Sequence, residues 1–327
     1  MDFEKYYSEI KIFTVLLMSF GILILFWKNQ TDFILYSNTV LGRFIAILLI
    51  LLGSSIHFSI GIFLIIVISS FYKAYSYETW NMYNTNDFMD GVDVIYWINL
   101  DRSKDRYAEM QTLLSDSAFS NIPNHRIAAV DGGGNNDGIY DKLIINQKMN
   151  TKLEYACLLS HLNAIRTFSE SNYSTALIFE DDVTLEFKKY WRKSVREIIE
   201  NAPADWEIIQ LCYISSGNLN AEYTLNNYGI NRYGNIASMA AYIINANAAR
   251  KLMLEMYNPK TGTYTLRNYH THEADHYLFK CLRTYTYKYP YFIYPTENTS
   301  TLHPEDLSSH IRSKVKIQQM YYSLYNY

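Results

Sequence analysis

Basic charge is not in excess in this sequence. There are 29 Lys and Arg against 32 Asp and Glu, a formal net charge of −3. Without a basic face, nucleic acid has no electrostatic claim as the main partner. Cysteine is scarce and odd in number: Cys157, Cys212 and Cys281 lie far apart. They read as packed thiols rather than a disulfide framework. No internal repeat is evident, and His161 has no second histidine nearby at the His-x-x-x-His spacing that chelates zinc on a helix. Tyrosine is abundant, at 31 residues, but abundance alone carries no chemistry.

What the sequence does have is unevenly placed. The mean hydropathy of −0.14 is that of an ordinary soluble protein, yet the long apolar runs all precede residue 73. Residues 12–27 carry no charge and are flanked by Lys11 and Lys28. Sixteen residues fall slightly short of a hydrocarbon core of about 30 Å at about 1.5 Å per residue, a gap that snorkelling Lys side chains and interfacial Trp27 close. Residues 44–72 are uncharged throughout, with His57 and a few Ser and Gly. The acidic start (Asp2, Glu4, Glu9) and the lack of a small-residue cleavage site argue against a signal peptide. The sequence therefore predicts a membrane region over 1–73 with two transmembrane segments and a membrane location. The flanking Lys and Arg are too symmetric to assign a side. Sequons at Asn29, Asn172 and Asn298 matter only where the chain is luminal.

A polar linker over 74–91 leads into a second region, 92–327. Residues 92–98 form an apolar run of strand length, and 104–114 follow with helical spacing. Residues 126–130 make a second short strand, closed by Asp131-Gly132-Gly133-Gly134, a glycine run that permits unusual backbone angles. An amphipathic helix is predicted over 152–169 and a buried strand over 174–179. Further helices are expected at 187–201, 248–256 (capped by Asn245 or Asn247) and 272–282, and strands at 206–212, 238–244 and 289–294, before a polar, irregular tail. Alternating strands and helices imply an α/β domain with a largely parallel sheet, whose ligand site lies beyond the carboxyl ends of the strands.

Two segments sit at such ends. Glu180-Asp181-Asp182 follows the third strand. Three adjacent carboxylates repel and raise one another's pKa unless something neutralises them, and a hard divalent cation with oxygen ligands does so. Strand alternation points Glu180 and Asp182 one way and Asp181 the other, which suits the outer pair to a Mg²⁺ or Mn²⁺ bound to a diphosphate; a solvated acidic turn is the plain alternative. The segment from Asn99 to Arg106 offers an amide suited to a base edge at Asn99, and Arg102 and Arg106 for phosphates. Its plain alternative is a charged helix start. Ser160 and His161 lie in the helix before the acidic strand, where a lone His is more often a hydrogen-bonded core residue.

Taken in order, Ile98-Asn99-Leu100 with Arg102 and Arg106, Ala128-Ala129-Val130-Asp131-Gly132, Cys157-Leu158-Leu159-Ser160-His161-Leu162 and Ile178-Phe179-Glu180-Asp181-Asp182-Val183 resemble glycosyltransferase family 25. The resemblance covers 92 to about 250, with weaker matches at Ala240-Ala241-Tyr242 and Asp275-His276-Tyr277. Ala156 departs from the Gly usual there. What it implies is a GT-A-like, Rossmann-type nucleotide-sugar-binding domain behind the N-terminal transmembrane helices, and inverting transfer from a UDP-sugar, commonly UDP-galactose, to a hydroxyl of a glycan, lipid or protein. It implies Mn²⁺ or Mg²⁺ at Glu180 and Asp182, with His303 or His310 as a late ligand, and a donor pocket drawn from Asn99, Arg102, Arg106, Asp131, Ser160, His161 and Glu180. The catalytic candidates are Asp275 as base, then Glu273, with Asp181 beside the metal pair. Asp275 and Glu273 also fit a helix N-terminal turn, where acids are structurally favoured. An inactive glycan- or partner-binding relative, or a metal-dependent nucleotidyltransferase, remain the alternatives.

Overall fold

The computed structural model describes residues 87–133, 138–215, 219–226, 236–295 and 307–325, with scattered helical positions between 44 and 65. The chain divides into two units, Asn86–Ser323 and Met1–Thr85 with Leu324–Tyr327. The first carries the architecture below. The expected segment 12–27 lies outside the described residues, and 44–72 is described only in part. Among the described residues no helix is long and apolar enough to cross a membrane.

The main sheet has seven strands in the order β2-β1-β4-β9-β5-β12-β7. These are β1 Val94–Asn99, β2 Asn124–Ala128, β4 Thr175–Glu180, β5 Ile208–Gln210, β7 Tyr223–Leu225, β9 Ala241–Asn245 and β12 Thr284–Tyr287. Strands β2, β1 and β4 are mutually parallel, and β5 and β12 share their direction. Strands β9 and β7 run against them, so the sheet is parallel-rich, as expected, with two antiparallel strands. Small sheets join β3 Leu143–Ile144 with β10 Tyr257–Asn258 and β11 Thr263–Thr265, and β6 Ile214–Ser215 with β8 Ile236–Ala237.

Helix α1, Lys104–Leu114, carries the chain from β1 to β2, and α2 is a single turn at Gly138–Asp141. Helix α3, Lys152–Ser169, starts at a capping box in which Thr151 and Glu154 satisfy each other's backbone N–H groups. It buries Tyr155, Leu158, Leu159, Leu162, Ile165 and Phe168 against β1, β4 and helices α5, Ala246–Met256, and α6, Ala274–Cys281. Asn245 caps α5, its side chain accepting from the Ala248 N–H.

Three expected elements differ. Residues 187–201 split into a 3₁₀ turn at Lys188–Tyr190 and helix α4, Val195–Asn201. Trp191 is extended, and a second capping box, Ser194 with Glu197, restarts the helix. The expected strand at 289–294 is displaced to β12. Pro290 has no N–H to give a ladder, and the aromatic run after it fills the core instead: Tyr291 stacks on Trp191 and Phe292 meets Phe179 edge-on. The polar tail forms helix α7, Leu307–Tyr325. It buries Ser313, Ile317 and Tyr321, a stripe at every fourth residue too narrow to stand out in a polar sequence.

Candidate active site

Parallel strands put Asn99, Ala128 and Glu180 at one edge of the sheet. Because β9 is antiparallel, its start comes to the same edge, where the Glu180 N–H donates to the Ala240 carbonyl at 2.8 Å. The acidic triplet thus leaves a fully buried strand and enters a polar cluster drawn from six segments of the chain.

Each carboxylate has its own surroundings. Asp181 is buried and accepts from Asn99 Nδ2 at 2.7 Å and from an Arg106 N–H at 2.9 Å. Glu180 Oε1 lies 3.0 Å from His161 Nε2, and His161 Nδ1 lies 3.2 Å from the Tyr242 hydroxyl. Burial, reinforced by the Glu180 charge, pushes the Tyr242 phenol well above its ordinary value. Asp182 has one oxygen 3.9 Å from Arg106, while its Oδ1 is buried with no hydrogen-bond partner. Burial first, then the Glu180 and Asp181 charges, push the Asp182 carboxyl up to about 7 against the opposing pull of Arg106. Burial acts to lower the Arg106 guanidinium, and Asp182, Asp181 and Glu180 outweigh it. One arginine therefore faces three acids, too little positive charge for the cluster.

The other expected site residues divide. Asn99 is buried at the end of β1. Its Nδ2 also donates to the Ser103 carbonyl and its Oδ1 accepts from Arg126 Nε at 3.0 Å. Both of its N–H donors and one of its two acceptor lone pairs are engaged inside the protein, so it orients Asp181. Arg102 pairs with Asp131 through two hydrogen bonds in an exposed position. Ser160 accepts the Val130 N–H at 2.9 Å and donates to the Ala156 carbonyl, pinning the loop after β2 onto α3. Gly132 serves close approach rather than an unusual angle. A Cβ there would stand 2.8 Å from Leu153 Cα and 3.0 Å from Ala156 Cβ, and the positive-φ glycines among the described residues are Gly91 and Gly262.

Asp275 opens α6, and its Oδ2 accepts the Ser238 N–H at 2.8 Å. Ser238 has φ 89°, a left-handed angle costly for a residue with a Cβ. Two residues before Ala240, it holds Asp275 at the edge where the triplet emerges. Gln210 Nε2 braces the same turn by donating to the Ala237 and Ser238 carbonyls. Convergence shows at Cys157: burial, then the charges of Glu180, Asp275 and Asp182, push its thiol well above the ordinary range. Glu273 Oε2 sits 2.7 Å from His276 Nδ1. His303 lies outside the described residues, and His310 packs its ring 5.0 Å from Tyr294.

The structure thus gathers the triplet, Arg106, His161 and Asp275, and leaves Arg102–Asp131 as a separate pair. Two contributors were not singled out by sequence. Gln210 looks like an ordinary strand residue, and nothing local marks Ser238 for a positive φ; Tyr242 lies in a matching motif but without a role. An α/β sheet whose carboxyl-terminal edge gathers under-neutralised carboxylates marks a ligand-binding or catalytic site. Residues 92–266 match the model of glycosyltransferase family 25 (LPS biosynthesis protein). The match covers more than half of the chain, and the chain belongs to that family: it is a glycosyltransferase, which binds a sugar donor and an acceptor. The matched span contains the triplet, Arg106, His161 and Ser238; Glu273 and Asp275 lie just beyond it.

Proposed function

We propose that this glycosyltransferase transfers a hexose, galactose first among the candidates, from a UDP-sugar to a hydroxyl of a glycan, lipid or protein, with metal dependence and inversion at the anomeric carbon. The observation that carries the reading is Asp182, with a buried and unpartnered Oδ1 and a carboxyl pushed up to about 7 beside Glu180. Oxygen donors short of positive charge suit a hard cation. Glu180 and Asp182 would hold Mn²⁺ or Mg²⁺, which supplies Lewis-acid stabilisation of the departing diphosphate.

The chain's own residues do the rest. Asn99 and Arg106 fix Asp181, so that Asp182, next along the backbone, is presented to the ligand rather than folded back. His161, wedged between Tyr242 and Glu180, sets the angle of the Glu180 carboxylate. Inversion needs a base on the acceptor side. Asp275 is assigned that role: each of its oxygens already accepts one backbone N–H, and a carboxylate keeps further lone pairs for an acceptor hydroxyl. The apolar runs at 12–27 and 44–72 support anchoring at a membrane, which alkaline extraction of cell membranes would test.

The decisive assay is hydrolysis and transfer of UDP-sugars by the purified chain, with and without Mn²⁺, for the wild type and Asp182→Ala, with the product anomer read by NMR. Metal-dependent turnover lost in the variant is expected. Equal turnover without metal, or a fully active variant, refutes the metal assignment, and a retained anomer refutes inversion.

A further inference from the structure

Behind the triplet lies a second donor set of different chemistry. Cys157 and His161 are four residues apart on α3 and share a face. Glu180 meets them from the end of β4, and Sγ, an imidazole nitrogen and a carboxylate oxygen all lie within 4.8 Å of one another. Two nitrogen or oxygen ligands on one tetrahedral zinc stand about 3.3 Å apart, from bond lengths of about 2.0–2.2 Å. The observed separation of His161 Nε2 from Glu180 Oε1 is 3.0 Å, so little movement is needed. His161 is 1 % exposed, and its far nitrogen is held by the Tyr242 hydroxyl, the outer support that a metal-binding imidazole needs. Glu180 is 31 % exposed and Cys157 half-buried, which leaves a route for an ion.

We propose that Cys157, His161 and Glu180 form a site for a thiophilic divalent cation of the zinc class, distinct from the hard-cation pair Glu180 and Asp182. Thiolate and imidazole are soft donors that discriminate against Mg²⁺ and favour Zn²⁺. Binding releases one proton, from the Cys157 thiol, as the sulfur–metal bond forms. The imidazole carries its proton on Nδ1, toward the Tyr242 oxygen, and turns the Nε2 lone pair to the ion; a hydroxyl serves as donor or acceptor for either tautomer. Glu180 belongs to both sites, so the soft cation competes with the hard one for that carboxylate. This last consequence, unlike the site itself, rests on the metal-dependent transfer reading.

Cobalt(II) is the probe. Titrated into the purified full chain, one equivalent should give a thiolate-to-cobalt charge-transfer band. The band should be displaced by Zn²⁺ and not by Mg²⁺, lost in Cys157→Ser, and kept in Cys212→Ser, Cys281→Ser and Asp182→Asn. No band in the wild type, or a band that survives Cys157→Ser, overturns the proposal. Should Cys157→Ser fail to fold, the wild type still decides. At alkaline pH, where the metal-free thiol ionises and can react, Zn²⁺ should slow alkylation of Cys157 by iodoacetamide about tenfold by occupying the sulfur lone pair, and equal labelling with and without Zn²⁺ counts against the site. Zn²⁺ should also inhibit Mn²⁺-supported donor hydrolysis, less so in Cys157→Ser. A chain that gives the cobalt band but hydrolyses no donor refutes the transfer reading and leaves the soft-metal site standing.

Discussion

Replacing Asp182 by Asn should make the metal-free protein more stable at high pH while abolishing sugar transfer. The Asp182 carboxyl moves from 3.8 to about 7 on folding. At about 1.4 kcal/mol for each tenfold change in proton affinity, ionising it at pH 8 costs the folded state about 4 kcal/mol, and relaxation of the site brings the measurable gain nearer about 2 kcal/mol. The sign follows from linkage. A carboxyl raised above its unfolded value binds its proton more tightly when folded, so its contribution is fully present below pH 3.8 and is lost as pH rises through about 7. An amide has no proton to lose and mimics the protonated acid. Urea unfolding in EDTA should therefore place Asp182→Asn above the wild type by about 2–4 kcal/mol at pH 8 and by less than about 1 kcal/mol at pH 4. Excess Mn²⁺ should raise the wild-type Tm at pH 8 by mass action and leave the variant unmoved. A variant no more stable than wild type at pH 8, or an equal difference at both pH values, would refute the reasoning.

Arg106→Ala leaves Asp181 and Asp182 without their cation. It should cost about 3 kcal/mol in urea unfolding, with the loss concentrated at neutral and high pH. Ser238→Val forces a β-branched side chain into φ 89° and should cost about 2 kcal/mol, whereas Ser238→Gly should stay within about 1 kcal/mol of wild type. Far from the site, Gly91 has φ +100°, and an added Cβ would sit 2.6 Å from the Arg196 backbone nitrogen. Gly91→Ala should therefore lower stability by about 2 kcal/mol or more with kcat unchanged, as thermal melts and steady-state assays would show.

The sequence by itself determined the elements that state their own periodicity. Helices α1 and α3 run over the expected spans because apolar spacing and a Thr151–Glu154 capping box are local. The strand leading into Glu180-Asp181-Asp182 was legible because the apolar run Ala176-Leu177-Ile178-Phe179 leaves few other options, and all four residues are buried. Family membership was legible from the order of four short motifs. The sequence also placed the apolar runs at 12–27 and 44–72, and 12–27 lies beyond what the structure describes.

Tertiary structure decided what each polar residue does. Asn99 and Ser160 look like ligand contacts in the motif, and the fold also makes them braces: their long-range partners, Asp181 and Arg126 in one case and Val130 in the other, leave no trace at their own positions. The antiparallel insertion of β9, invisible to local pattern, brings Ser238 and then Asp275 to the triplet. A β4 flanked by parallel neighbours alone would have left that edge without its Asp275. Above all, the triplet announced three like charges, whereas only the fold gives them three fates. Asp181 is neutralised by Arg106, Glu180 is set by His161, and Asp182 keeps one buried oxygen unsatisfied, because burial and distance, rather than residue type, fix the energy of a charge.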